Sequence, residues 1–369
     1  MIKRIRIKNF MSLASLDVQL DPVTVLVGRS GTGKSNFLRA FRFVREFLRR
    51  LDVNAAANEL GGWPVMVPAT IGGPCAIEFE LFFQLPDAGD EFSYTLVFYR
   101  ASRQVAPVLV CERFSVGSRP IINRGEITGQ QGLQPQQPEL ATKPDDQNAV
   151  IAYEALSKEL GCYDFPSQVL QAPGDNREKG FADAGQNFIV ALSQIRADRF
   201  HLKYWGEMVG SLKKLNPTLE LLNLDRPPTK VQVVHRFKGD ERLSLDLSQE
   251  SEGFRRFFAH LIALYQAPSK LFLTFEEPEK GIYPGALAVL ADELNAAAAS
   301  GRGQILLASH SPQLLDSFSP EQIRVVDMRG HSTTIGPLAR EQLDSVRERL
   351  MTAGELLTVD PARIQAAVI

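Results

Sequence analysis

Residues 28–35 read Gly-Arg-Ser-Gly-Thr-Gly-Lys-Ser, the complete GxxxxGKS spacing of a phosphate loop. Glycines at Gly28, Gly31 and Gly33 let the backbone turn successive N–H groups inward onto phosphate oxygens. Lys34 brings a point charge to the outer phosphates, and the Ser35 hydroxyl is a ligand for Mg²⁺. Arg29, Ser30, Thr32 and Asn36 lie in or beside this loop and are candidate nucleotide-binding residues with it. The flanks suit this chemistry. Val23–Val27 is an apolar, β-branched run fit for a buried parallel strand. From Asn36 onward the pattern is helical, and a helix N-terminus adds its dipole to an anion site. The stretch implies binding of a nucleoside triphosphate.

Paired carboxylates end a second apolar strand, Leu271-Phe-Leu-Thr-Phe-Glu-Glu-Pro278. Glu276 is placed to hold Mg²⁺ through water, and Glu277 to polarise the water that attacks a γ-phosphate. His310, in Ser309-His-Ser-Pro312, follows another apolar strand. A lone histidine is often structural; at the carboxyl end of a parallel strand it faces the nucleotide, which favours γ-phosphate sensing. Ser251-Glu-Gly253 opens a helix and offers a hydroxyl, a backbone N–H and a dipole to an anion. Serine and glycine make ordinary N-caps too, so both readings of that turn stand.

These groups need a frame to position them. The chain has 369 residues, room for two average domains or one large α/β domain with insertions. Its net charge of −2 advertises no nucleic-acid partner, yet the first 50 residues carry 11 Lys/Arg against Asp17, Asp21 and Glu46. Cys75, Cys111 and Cys162 are odd in number and lack paired metal spacing, which suggests buried thiols in a reducing compartment. No run approaches the ~18–20 apolar residues of a membrane span. The opening residues alternate apolar and basic like a strand and unlike a signal peptide, so a cytoplasmic placement is expected.

Strands are predicted within 2–27 and an amphipathic helix over 35–51, with Phe37, Phe41, Val44, Leu48 and Leu51 on one face. Arg39, Arg42, Arg45, Arg49 and Arg50 form the opposite face, read as solvated or as a docking surface. Segments 75–84, 91–100 and 108–116 alternate as antiparallel strands. The Gln/Gly/Pro-rich run Gly129–Pro138 marks 117–148 as a loop, and 149–225 reads as mainly helical. A strand pair follows at 229–237 and 242–247. Then come a helix at 253–266, a strand at 271–275, a helix at 285–299, a strand at 304–309, a short helix near 312–317 and a strand at 322–327. The expected organisation is an N-terminal half with the phosphate loop and a β-subdomain (1–116), an insertion (117–228), a C-terminal half with the Ser-x-Gly turn, the paired acids and His310 (229–336) and a helical tail (337–369).

The order of phosphate loop, Ser-x-Gly helix start, Glu-Glu strand end and Ser-His strand end resembles the ABC-type ATPase heads. Among them it is most similar to the branch holding OLD-family ATPases, RecF and the SMC proteins. Glu279-Lys-Gly-Ile-Tyr-Pro284 matches the OLD-like Glu-x-Gly-x-His-Pro pattern, and the opening Ile-Lys-Asn-Phe10 and Ala-Ser-His-Ser-Pro-Gln-Leu-Leu-Asp316 also look like that group. The resemblance covers residues 1–51 and about 243–336. It implies a P-loop NTPase fold of ABC type: a mostly parallel central sheet flanked by helices, with an antiparallel β-subdomain and a helical insertion. It also implies ATP and Mg²⁺ as ligands. Gly28 to Asn36 would cradle the triphosphate, with Lys34, Glu277 and His310 catalytic, and Ser35 and Glu276 on the metal. Ser251 and Gly253 would be a signature motif reaching the nucleotide of a second, head-to-tail copy, with 279–284 as the dimer-facing loop.

Three residues depart from the pattern: Glu276 stands where Asp is usual, Tyr283 where His is common, and Arg29-Ser30 where Glu-Asn is frequent. Together they suggest slow or partner-dependent turnover. No Toprim-like acidic cluster follows, which points to a stand-alone ATPase subunit switching a separately encoded nuclease or toxin in phage or plasmid defence. The alternative is a RecF- or SMC-like repair or chromosome-maintenance ATPase that clamps DNA. A transporter subunit and a RecA-like fold fit less well, so no membrane partner is expected.

Overall fold

Alternating apolar residues in the opening strands build one sheet, and continuous apolar runs near the phosphate loop build another kind of pairing. The computed structural model describes residues 1–365 except 69, 87–88, 103–104, 106, 126–136, 144, 172–179, 198–201 and 226–229. Two compact units divide the chain: Met1–Leu160 with Pro320–Ile369, and Gly161–Ser319.

The first unit begins with β1 (Ile2–Phe10), β2 (Leu13–Gln19) and β3 (Val23–Val27), then α1 (Lys34–Arg50), α2 (Val53–Asn58) and α3 (Trp63–Met66). Next come β4 (Cys75–Phe83), β5 (Phe92–Arg100), β6 (Val108–Val116), β7 (Arg119–Arg124) and α4 (Gln147–Lys158). A six-stranded sheet runs β2-β1-β4-β5-β6-β7, and its neighbours pair antiparallel. Inward residues of β4 are Cys75, Ile77, Phe79, Leu81 and Phe83, every second position, as a half-buried strand requires. Phe43 of α1 packs on Phe79 and Phe98 with ring centroids 5.4 Å apart in both pairs. Burying such rings is the main drive for seating α1 on the sheet.

β8 (Leu160–Tyr163) leads into the second unit, followed by α5 (Ser167–Gln171), α6 (Phe188–Ala197) and α7 (Leu202–Leu215). Next are β9 (Leu219–Leu224), β10 (Val231–Arg236), β11 (Arg242–Asp246) and α8 (Glu252–Tyr265). Then come β12 (Phe272–Glu276), α9 (Leu287–Ala299), β13 (Gln304–Ala308) and α10 (Pro312–Leu315). β12 and β13 pair parallel, from Phe272↔Gln304 to Glu276↔Ala308. β11, β10 and β9 form a small antiparallel sheet. α8 is buried from Phe254 to Tyr265, as befits an apolar central helix.

The chain then returns to the first unit with β14 (Ile323–Arg329), β15 (Ser332–Pro337), α11 (Arg340–Arg347) and α12 (Glu355–Thr358). β14 runs parallel to β3 and antiparallel to β15. The fold is α/β, with parallel strand pairs beside helices and separate antiparallel sheets. Among the described residues no helix is long and apolar enough to cross a membrane.

Several expectations need correction. The segment read as a loop over 117–148 contains β7, a turn of 3-10 helix at Glu139–Thr142 and the start of α4. β7 holds Pro120 and buries little besides Ile122, which suits the edge position it occupies and hides it from a pattern search. Most of the run Gly129–Pro138 lies outside the described residues. Within the stretch read as helical, β8 and β9 are strands. β8 is only four residues and wholly buried, so it shows no alternation. β9, Leu-Glu-Leu-Leu-Asn-Leu, has helix-forming residues, but its burial follows strand pairing with β10. β15 was not read as a strand at all.

The basic face of α1 is not uniformly solvated. Arg45 is buried and pairs with the buried Glu46 at 2.8 Å. Glu46 also takes Arg50 at 3.0 Å. The charge surplus of the opening residues is likewise reduced across strands, by Glu78 and Glu80. Arg4 meets Asp17 at 2.5 Å, Arg6 meets Glu80 at 2.8 Å and Lys8 meets Glu78 at 2.7 Å. All three cysteines are free and buried, as expected.

Candidate functional site

The phosphate loop belongs to the first unit; the carboxylates, the histidine and the serine–glycine turn belong to the second. Each set is built by its own strand ends and helix starts.

Residues 28–33 bridge the end of β3 and the start of α1. Gly33 enters the helix at φ 103, and a β-carbon there would lie 2.0 Å from Thr333 Oγ1. Only glycine satisfies both demands. α1 is 17 residues long, starts with no side-chain cap and has no acid in its first turn. Leading amides left this way suit an anion. Lys34 is buried and its Nζ donates to the carbonyls of Gly28 at 2.7 Å and Arg29 at 2.9 Å. Thr32 Oγ1 donates to the Arg29 carbonyl at 2.9 Å. A triphosphate offers Lys34 charged acceptors in place of neutral carbonyls, a stronger bond.

Behind the loop stands a hydroxyl network that sequence reasoning missed. Thr333, fully buried in β15, donates to the Thr32 carbonyl at 2.8 Å and shares a 2.7 Å bond with Ser12 Oγ. The Asn36 carboxamide donates to Ser12 Oγ at 2.8 Å, so its side chain is spent on this support. Ser12 lies in the turn between β1 and β2 and Thr333 in β15, with no local motif at either; only knowledge of the β14–β15 hairpin beside the loop would have found them.

In the second unit, Glu276 ends β12 and pairs in register with Ala308 of β13. Glu277 N–H donates to the Ala308 carbonyl at 2.9 Å while its backbone turns left-handed at φ 45. That conformation costs a residue with a β-carbon energy and is characteristic of functional turns. It aims a carboxylate that stays about half exposed, with Lys280 at 4.0 Å. Two residues beyond β13, the backbone amide of His310 donates to Glu279 Oε1 at 2.7 Å. The paired acids and the histidine therefore sit at the carboxyl ends of adjacent parallel strands.

Ser251 is exposed and its Oγ accepts from the Phe254 amide at 3.2 Å. The N-cap reading is thus realised, and it leaves the serine at the surface. Gly253 is needed for another reason: a β-carbon there would come 2.7 Å from the Gly281 carbonyl oxygen. Between them, Glu252 is held below the usual carboxylate range by the Ser167 hydroxyl and then by Arg256. Arg255 is buried and donates to the carbonyls of Ser248 and Glu250, fixing the approach to the turn.

Among the described residues no group of three or more His, Cys, Asp or Glu is arranged to hold a metal. Mg²⁺ needs less from protein: one or two carboxylates, with phosphates and water supplying the remaining oxygens. Ser35 in the first unit offers a hydroxyl and Glu276 in the second a carboxylate, each by itself a hard oxygen donor.

Comparisons with known proteins bear on the family and the fold. The family described as "AAA domain, putative AbiEii toxin, Type IV TA system" matches residues 23–316. A curated relative, the OLD nuclease of Thermus scotoductus, is 46% identical over 44 residues, 12% of this chain; the match spans 8% of that nuclease's length. Among solved structures, an Smc head bound to the C-winged helix domain of ScpA is 14% identical. It covers 92% of this chain and 99% of its own, with a TM-score of 0.58. A second Smc head domain, with an extended coiled coil and bound to the C-terminal domain of ScpA, derives from Pyrococcus furiosus. It is 13% identical, covers 95% and 99%, and has a TM-score of 0.54. At such identities these two structures establish the fold, that of an ABC-type ATPase head.

Proposed function

Since this chain belongs to the AAA domain family whose description names the AbiEii toxin and type IV TA systems, we propose that it binds and hydrolyses ATP as a nucleotide-driven switch. The switch is a head-to-tail pair of copies acting on a separately encoded nuclease or toxin in prokaryotic defence. Residues 28–36 hold the triphosphate, and Lys34 offsets charge on its outer phosphates. Ser35 and Glu276 would hold Mg²⁺, which when bound neutralises charge on the phosphate oxygens. Glu277 polarises the attacking water, and His310 senses the γ-phosphate. Ser251 and Gly253 of the second copy complete the closure, after which loss of the γ-phosphate reopens the pair.

One observation carries the reading: a long helix starts without cap or acid behind a loop whose lysine already points inward. The defence role is supported by the family's description and by the nuclease relative, each of which names an effector-type protein. The DNA-clamping alternative is less favoured, because Arg4, Arg6 and Lys8 of the opening segment are paired with acids, although Arg39, Arg49 and Arg50 of α1 stay exposed.

The test is the mass of the Glu277→Gln protein with and without ATP. A shift from monomer to dimer, or tightening within a larger assembly, is expected. An unchanged mass when bound ATP is demonstrated overturns the switch. Purification together with the product of the adjacent gene addresses the effector, and a neighbour of no nuclease or toxin character counts against that part.

A further inference from the structure

The loop after β12 is short, folded on itself and in contact with two functional corners. The Lys280 amide donates to the Glu277 carbonyl at 3.0 Å, and the Ile282 amide to the Glu279 carbonyl at 3.1 Å. Two tight turns in succession leave this segment little freedom. At one end Glu279 Oε1 accepts the His310 amide at 2.7 Å. The other oxygen, Oε2, is buried and has no hydrogen-bond partner among the described residues. A buried carboxylate oxygen left unsatisfied is rare, so the bond to His310 is one the fold retains at a cost.

At the other end Gly281 leans on the first turn of α8. Its carbonyl fills the space beside Gly253, 2.7 Å from where a β-carbon would be. Its own α-carbon faces Arg256, with Arg256 Cδ 3.0 Å and Glu252 Oε1 3.2 Å from a β-carbon built there. Arg256 Nε and Glu252 Oε1 are themselves joined at 2.9 Å. No slack separates the loop from the Ser251–Gly253 corner.

We propose that Glu279 is a positioning residue: its carboxylate sets the backbone of His310, and the turns to Gly281 tie that segment to the Ser251–Gly253 corner. A displacement of the histidine segment is thereby passed to the corner that serves the other copy. This rests on the ATPase reading given above. Only one carboxylate oxygen is used, so an amide oxygen in its place keeps the bond. Aspartate keeps the charge but is a methylene too short to reach.

The test compares Glu279→Gln, Glu279→Asp and Glu279→Ala in the full chain. In the nucleotide-free protein, amide exchange at His310 is read from overlapping peptides. It should quicken about tenfold or more in the Ala and Asp proteins and stay near parent in the Gln protein. With ATP, kcat should fall about tenfold in Ala and Asp while affinity for a non-hydrolysable analogue holds within about twofold, and Gln should restore kcat. Parent-like exchange in the Asp protein, or a Gln protein as defective as Ala, overturns the proposal. If the parent hydrolyses no ATP, the ATPase reading falls alone and the exchange result still decides the role of Glu279. The Asp and Gln arms keep the decision open to measurement if the Ala protein does not fold.

Discussion

The Thr333 hydroxyl stands where a β-carbon on Gly33 would have to go, 2.0 Å from that position, and it holds the Thr32 carbonyl at 2.8 Å. A hairpin far along the chain thus fixes the back of the phosphate loop. Thr333→Val keeps the shape and removes the hydroxyl, leaving the buried Thr32 carbonyl without its donor and Ser12 with Asn36 alone. The expected loss is about 1–3 kcal/mol in urea unfolding. If about 1 kcal/mol of it is carried into binding, ATP affinity weakens about fivefold, read by titration of a fluorescent analogue. Unchanged stability and affinity together would show the anchor to be idle.

Gly253→Ala gives a sign as well as a size. In an open helix the change gains up to about 1 kcal/mol from propensity. Here the new β-carbon would meet a backbone carbonyl at 2.7 Å, so the protein should lose stability instead. A lowered Tm with loss of ATP-dependent pairing is the expected result. A raised Tm would mean the loop yields freely, contrary to the close fit described for Gly281.

His260 in α8 links acidity to stability. Burial against Phe165 and Phe275 lowers its pKa to about 4 from 6.5, partly opposed by the bond from its Nδ1 to the Arg256 carbonyl. Between these values the unfolded chain binds the proton and the folded chain does not. Stability is therefore lost as pH falls below 6.5 toward 4, by an amount on the order of 3 kcal/mol. Urea unfolding at pH 7 and pH 4.5 should show a smaller acid loss in His260→Gln than in the parent. Equal losses would remove His260 as the source.

Glu112 is fully buried and gathers four donors: Tyr94 OH at 2.9 Å, Arg124 Nη2 at 2.7 Å and the amides of Glu139 and Leu140 at 2.6 and 3.0 Å. Burial, then the Glu112 charge, pushes the Tyr94 phenol well up, which keeps it a donor. Glu112→Gln replaces an acceptor by an amide donor facing these groups. A loss of about 3 kcal/mol is expected, measured by chemical denaturation with nucleotide binding as a control. A loss below about 1 kcal/mol would mean the site rearranges around the amide.

What could be read from sequence was what depends on near neighbours. Val23–Val27 followed by glycines and Lys34 contains its own geometry, and so do the acids that end β12. Ser12 and Thr333 are 321 residues apart and meet only through the fold. Arg6 and Glu80, 74 residues apart, cancel a charge that a count over the first 50 residues leaves standing. β8 and β9 were hidden for different reasons, one too short to alternate and the other made of leucines that also favour helix. Ser251 could be read as a cap or as an anion corner, and its position at the surface leaves both uses available.

Glu277 has one more consequence, through its left-handed backbone at φ 45. A residue with a β-carbon gives up on the order of 1 kcal/mol there, which glycine or asparagine would largely recover. Laboratory evolution for heat resistance alone, with no demand on turnover, should therefore discard this glutamate early. Position 277 is where durability and activity pull the chain in opposite directions.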